Sequence, residues 1–292
     1  MEKVKVYKII EKKHIWFGIS LTIIALGLVF MAMHGFNWGI DFTGGNMLHF
    51  DIQQTYELSE ARNTLEKLDI DFEAKKAGDK GQELIIKTVN LSKEMQDEIL
   101  DALKQKWPDT KLVRAETIDA VIGKELQKQA VIALIIANIG MLIYITFRFE
   151  FNSALAAVLA LLHDVMIVLS FYAIFYIPVD STIIAVILTI VGYSINDTIV
   201  IFDRVRENLK NMRKVSFEEV ANLSISQTVT RSVNTSLTTL LTITALFLFG
   251  GETIKDFTLA LIVGIGAGTY SSIFIASPLW SMFRGKLKTA KA

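Results

Sequence analysis

Six apolar stretches, at residues 15–34, 129–147, 153–176, 182–203, 233–250 and 257–280, dominate this chain. A hydrocarbon core about 30 Å thick needs about 20 mostly apolar residues per helix. Six such runs in 292 residues predict an α-helical polytopic membrane protein. Between the first two runs, residues 35–128 carry 13 basic and 18 acidic side chains, a net of −5 that the remainder offsets with a net of +5. Residues 47–52 alternate like a strand, and Ser59 opens a helix to about Leu68. Residues 71–77 and 82–89 flank a Gly78-Asp-Lys-Gly81 turn, Ser92 caps a helix that Pro108 stops, and residues 111–118 read as a further strand. These punctuation signals predict a βαββαβ order, a small ferredoxin-like α+β domain.

Basic residues sort to one side. Lys3, Lys5, Lys8, Lys12 and Lys13 precede the first run; Arg148 lies between the second and third. Arg204, Arg206, Lys210, Arg213, Lys214 and Arg231 lie between the fourth and fifth, and Arg284, Lys286, Lys288 and Lys291 follow the sixth. The short loops on the other side hold only Lys255. The positive-inside rule then predicts cytoplasmic termini (1–14 and 281–292) and an extracytoplasmic domain (35–128). The first run is longer than a secretory core and has no small-residue cleavage site before Trp38, so it is expected to stay as a span. Residues 204–232, amphipathic and basic at their start, predict a cytoplasmic helix at headgroup level.

A charge at mid-bilayer costs roughly 2.5–3.5 kcal/mol on insertion scales, so Asp164 in the third run and Asp197 in the fourth need a reason. Either they bond within the bundle or they carry protons. Burial disfavours a carboxylate and a nearby guanidinium favours it, the balance a proton carrier requires. Tyr193, Asp197 and Arg204 share a helix face, with Asn196 adjoining. Arg231 opens the fifth run, and Thr235, Thr238 and Thr242 follow it on one face; such hydroxyls either bond their own helix or line a water path. Ala260, Gly264, Gly268, Ser272 and Ala276 recur every four residues, a stripe for close helix packing. Asp41, followed by Gly44 and Gly45 in a tight turn, is expected to shape the end of the first span through bonds to amides.

Other chemistry finds little support. No cysteine excludes disulfides and thiolate zinc sites, and there is no phosphate-loop motif. The four histidines lack metal spacing, no Ser/His/Asp constellation stands out, and no general basic excess points to nucleic acid. An aspartyl protease would need Asp164 and Asp197 at one depth, yet their positions differ by ~9 Å at 1.5 Å per residue. Neither an enzyme nor a cofactor is expected.

Several segments resemble the SecF branch of the SecD/SecF family of protein-export membrane proteins. They are GIDFTGG at 39–45, LLHDV at 161–165, VGYSINDTIVIFDRVREN at 191–208, RSVNTSLTTLLT at 231–242, FLFGGETIKDF at 247–257 and GIGAGTYSSIFIASPL at 264–279. The resemblance implies a fold related to resistance-nodulation-division transporters, paired with SecD as a pseudo-symmetric half in the bacterial cytoplasmic membrane. It implies proton flow between the halves that drives external domains to help pull preproteins outward. Implied partners are SecD, the SecYEG channel, YajC, unfolded preprotein and lipid, without nucleic acid. The family's proton residues fall on Asp197 and Arg231, with Asp164, Asn196, Tyr193, Arg204 and Thr235 as candidate support. A half-transporter of lipid or small molecules, or a non-conducting scaffold of the export channel, is the alternative. One departure is IDAVIGKEL at 118–126, where many members carry a Gly-Pro turn.

Overall fold

The computed structural model describes residues 5–78, 80–89, 91–212 and 215–290, the last six by backbone only. Lys3, Arg213, Lys214 and Lys291 of the charge count, and Asp79 of the turn signal, lie outside the described residues. Among the described residues, six helices are long and apolar enough to cross a membrane. They are α1 (Lys13–His34), α5 (Ala120–Arg148), α6 (Phe151–Phe175), α7 (Thr182–Asn211), α8 (Phe217–Phe249), and a sixth built from α9 (Lys255–Ser271) and α10 (Ser277–Ala290). A π-helical turn, Ser272–Ala276, joins the two parts of the last helix. Pro278 has no amide to return to the preceding turn, which accounts for the widened ladder there.

Helices α6, α7 and α9 form the centre, and small residues set their spacing. Ala154, Ala156, Ala157 and Ala160 are buried on α6, and Ala260, Gly264, Gly268, Ser272 and Ala276 are all buried along the last helix. A Cβ on Gly264 would overlap Ile190, and one on Gly268 would come within 2.9 Å of Ser194. The partner of the small-residue stripe is therefore α7 of the same chain. Helix α1 packs on α6 through Gly27 against Ser170. Peripheral helices α1, α5 and α8 leave Leu21, Met33, Ile136, Phe147, Leu237 and Leu241 exposed, the pattern of surfaces made for lipid or another membrane protein.

Residues 204–232 depart from the expected headgroup-level helix. Their first part completes α7, which runs to Asn211, and their second opens α8, started by a Ser216–Glu219 capping box. The apolar face of this stretch is covered by protein instead of lipid. Val220, Ala221 and Ile225 are buried against Ile9 and Ile10, and Asn222 Oδ1 accepts from the Ile9 and Ile10 amides at 2.9 and 3.0 Å. Across the pair, Asn208 Nδ2 donates to Ser224 Oγ at 2.8 Å. Amphipathicity signals a buried face without saying what buries it.

Between α1 and α5 lie a short α2 (Ile40–Thr43) and the α+β domain: β1 (Gly45–Asp51), α3 (Leu58–Leu65), β2 (Phe72–Ala77), β3 (Glu83–Thr88), α4 (Lys93–Lys106) and β4 (Lys111–Ile118). The sheet is antiparallel in the order β2-β3-β1-β4, the ferredoxin-like arrangement. Leu48, Phe50, Leu84, Ile86, Ile99 and Leu103 build its core, separate from that of the helices. Strand β1 starts two residues earlier than the alternation suggests, because Gly45 and Asn46 already pair with Ile118 and Thr117.

Candidate functional site

The segment after α1 fastens the domain to the helices. Gly44 and Gly45 adopt φ of 81° and 155°, a region that disfavours side chains. A Cβ on Gly44 would press on the Ala120 backbone at 2.7 Å, and one on Gly45 would overlap the Thr88 carbonyl. Ala120 begins α5, capped by Asp119, whose Oδ1 accepts from the Val121 amide at 2.8 Å; this is how the segment lacking a Gly-Pro turn is built. Asp41 finds its amide far along the chain. Its Oδ2 accepts from the backbone amide and hydroxyl of Ser181 at 2.9 and 2.6 Å, just before α7. Burial works against its charge, but the Ser181 bonds, with Lys87 and Lys75 nearby, outweigh it and hold the carboxyl below its ordinary value.

Asp164 sits at the centre of the bundle, fully buried. Its Oδ2 accepts from Ser194 Oγ of α7 at 2.6 Å and from Ser271 Oγ of α9 at 2.8 Å. The His163 ring bridges Asp164 Oδ1 at 3.0 Å and Ser20 Oγ of α1 at 2.8 Å. A Ser/His/Asp arrangement thus exists that sequence inspection missed, because Ser20 and His163 are 143 residues apart. What the cluster does is bond four helices at one point.

Asp197, 4% exposed, is served differently. Its Oδ2 accepts one long bond, 3.4 Å, from Ser236 Oγ of α8, and Ser236 Oγ itself accepts from Thr269 of α9 at 2.6 Å. Asp164 has three polar partners and Asp197 one weak one. One turn from Ser236, Ser232 Oγ is buried with no partner among the described residues. Tyr193 bonds α8 through the Thr235 carbonyl and Thr239 Oγ1, both at 2.9 Å. Arg231 is exposed and forms no ion pair among the described residues. Asn196 is exposed too, and Arg204 bonds Gln227 and Glu207 away from Asp197. Thr235, Thr238 and Thr242 return their hydroxyls to carbonyls of α8. The structure therefore gathers Asp197 with Ser236 and Thr269 and leaves Asn196, Arg204, Thr235 and Arg231 outside that bond network. Ser236 and Thr269 fall inside the quoted 231–242 and 264–279 segments, but neither carried a signal of its own in the sequence.

With this geometry in view, the comparisons decide the family. Residues 98–286 match the model described as protein export membrane protein SecD/SecF, C-terminal, and residues 29–50 match the SecD/SecF GG motif. The chain belongs to the SecD/SecF family. A protein translocase subunit SecF from Sebaldella termitidis is 41% identical over 289 residues, covering 97% of this chain and 94% of the relative. Another from Escherichia coli O157:H7 is 34% identical, covering 94% and 87%. Among solved structures, SecDF from Thermus thermophilus, described as a translocon-associated membrane protein, superposes with a TM-score of 0.83 at 36% identity. That match covers 98% of this chain and 40% of the SecDF chain, so this chain spans well under half of the fused protein. As a SecD/SecF protein with six apolar helices, it is a multi-pass membrane protein of the protein-export system. The GG motif of the family model takes in Asp41, Gly44 and Gly45, the residues that here seat the domain on α5 and α7.

Proposed function

We propose that this chain works with SecD beside the SecYEG channel, using the proton gradient to promote late steps of preprotein export across the cytoplasmic membrane. The observation that carries this reading is the contrast between two buried carboxylates. Asp164 is saturated by hydroxyl and imidazole partners, as a fixed structural group should be. Asp197 is buried with one bond of 3.4 Å, and the Ser232 hydroxyl one turn from Ser236 has no partner among the described residues, so Asp197 has few bonds to lose when it gains or gives up a proton. Asp197 takes up and releases the proton, and Arg231, on the neighbouring helix and free of other ion pairs among the described residues, stabilises the ionised form in another conformation. Ser236 and Tyr193 link α7 to α8, so a change at Asp197 is passed to that helix.

One charge crossing 100 mV releases about 2.3 kcal/mol, a bias of well over tenfold. Both termini are cytoplasmic and the α+β domain meets unfolded preprotein outside, an orientation supported by the basic residues before α1 and around the α7–α8 junction. The exposed faces of α1, α5 and α8 then meet SecD, lipid, the channel or YajC; no enzyme activity, cofactor or nucleic acid enters. The test is Asp197→Asn, assayed for preprotein export in membrane vesicles with and without a proton gradient. Loss of gradient stimulation with normal membrane insertion is expected, and Arg231→Ala should lose it as well. Full stimulation in Asp197→Asn would leave the chain a scaffold of the export machinery.

A further inference from the structure

Away from Asp197, the α+β domain touches the start of the last membrane helix at one charged point. Lys75 of β2 places Nζ 2.6 Å from Asp256 Oδ2 in the first turn of α9, and 2.9 Å from Glu73 Oε1 on its own strand. The Lys75 side chain is 19% exposed. Burial opposes its charge, yet the hydrogen bond to Asp256 and the negative charges of Asp256 and Glu73 more than offset it and raise the ammonium above its ordinary range. Asp256 is also fixed from behind, its carbonyl accepting from the Tyr172 hydroxyl of α6 at 3.2 Å, and its carboxylate complements the N-terminus of α9. Beyond this pair and the Asp41–Gly45 attachment, the contacts described are looser. Lys87 reaches Asp180, before α7, at 3.9 Å, and a polar groove of about 510 Å³ separates sheet and helices near Trp38, Arg62 and Tyr176.

We propose that the Lys75–Asp256 pair is a releasable joint between the α+β domain and the last membrane helix, closed in this conformation and opened in each working cycle. It rests on the proton-driven reading above and extends it to the output end. Helix α9 carries Thr269, bonded to Ser236 beside Asp197, and Ser271, bonded to Asp164. Its first turn carries Asp256. A shift of α9 caused at Asp197 therefore arrives at Lys75. The covalent connections at Gly44 and Ala120 keep the domain attached when the pair parts, and the groove is room into which the domain can tilt.

The chain has no cysteine, so Lys75→Cys with Asp256→Cys gives a defined pair in the full protein with its membrane partner. A short thiol-cleavable bis-methanethiosulfonate reagent joins the two thiols without requiring the narrow geometry of a direct disulfide. Cross-linking is expected to abolish gradient-stimulated export in vesicles, and reductant to restore it. A fully cross-linked protein that keeps its stimulation, or a pair that fails to cross-link in folded protein, overturns the joint. The charge swap Lys75→Asp with Asp256→Lys should recover stimulation that Lys75→Asp alone loses; no recovery would also count against it. Asp197→Asn, run in parallel, reports on the proton step alone. If it loses stimulation while the cross-linked protein keeps it, the joint fails and the proton reading stands.

Discussion

At the scale of single residues, charge is placed where its partners decide its task. Asp41 anchors the start of α7 by accepting from the Ser181 amide and hydroxyl, and a hydrogen bond to a charged group is worth about 1.5–3 kcal/mol. Its folded-state pKa lies below the ordinary aspartate value of 3.8, so the contribution is fully present above that value and is lost as pH falls through the lowered one. Thermal unfolding in detergent should show Asp41→Asn less stable than the parent at pH 7, with the gap closing only below about pH 3.8. A gap unchanged down to pH 2.5 would mean the carboxylate charge plays no part. Sequence inspection identified Asp164 and Asp197 as residues needing an explanation, because charge near lipid is costly whatever the fold, and Asp41 as shaping the end of the first span beside its glycine turn. Their partners were hidden: Ser181 lies 140 residues from Asp41 and Ser271 lies 107 from Asp164.

At the scale of elements, the bundle depends on small residues where helices cross. Gly264 and Gly266 are two positions apart and face different surroundings. A Cβ on Gly264 runs into Ile190 of α7, whereas one on Gly266 meets nothing within 4 Å. Gly264→Val should therefore destabilise by about 1–3 kcal/mol through overpacking, while Gly266→Ala should be neutral or stabilising by up to about 1 kcal/mol. Melting of the purified protein in detergent reads both; equal effects would show that α9 does not pack on α7 as described. The period of four was legible from Ala260 to Ala276, but its partner was not, since small residues announce a close approach without naming the neighbour. The stretch 204–232 teaches the same point, its amphipathic face being covered by Ile9 and Ile10.

At the scale of the whole molecule, two cores are joined by few contacts. The domain core of Phe50, Ile86, Leu103 and their neighbours includes no membrane-helix residue. Residues 45–118 expressed alone should unfold cooperatively in urea; at this size the stability is small but sufficient for an autonomous fold. A non-cooperative transition would mean that the domain needs the helices to fold. The Lys75–Asp256 pair is partly exposed, and such pairs are worth about 1 kcal/mol or less. On the proton-driven reading proposed above, that is below the ~2.3 kcal/mol that one charge yields on crossing 100 mV.

The number of membrane helices, the α+β insert and its strand order followed from the sequence alone, because apolar run length, alternation and turn residues act over a few neighbouring positions. So did the positions of the buried carboxylates. Only the tertiary structure decided that Asp164 is bonded on three sides while Asp197 is nearly unbonded, that the glycine stripe meets α7, and that β2 leans on the start of α9. Each of those is a meeting of residues distant in the chain, and no local pattern of residue types records which distant side chain arrives.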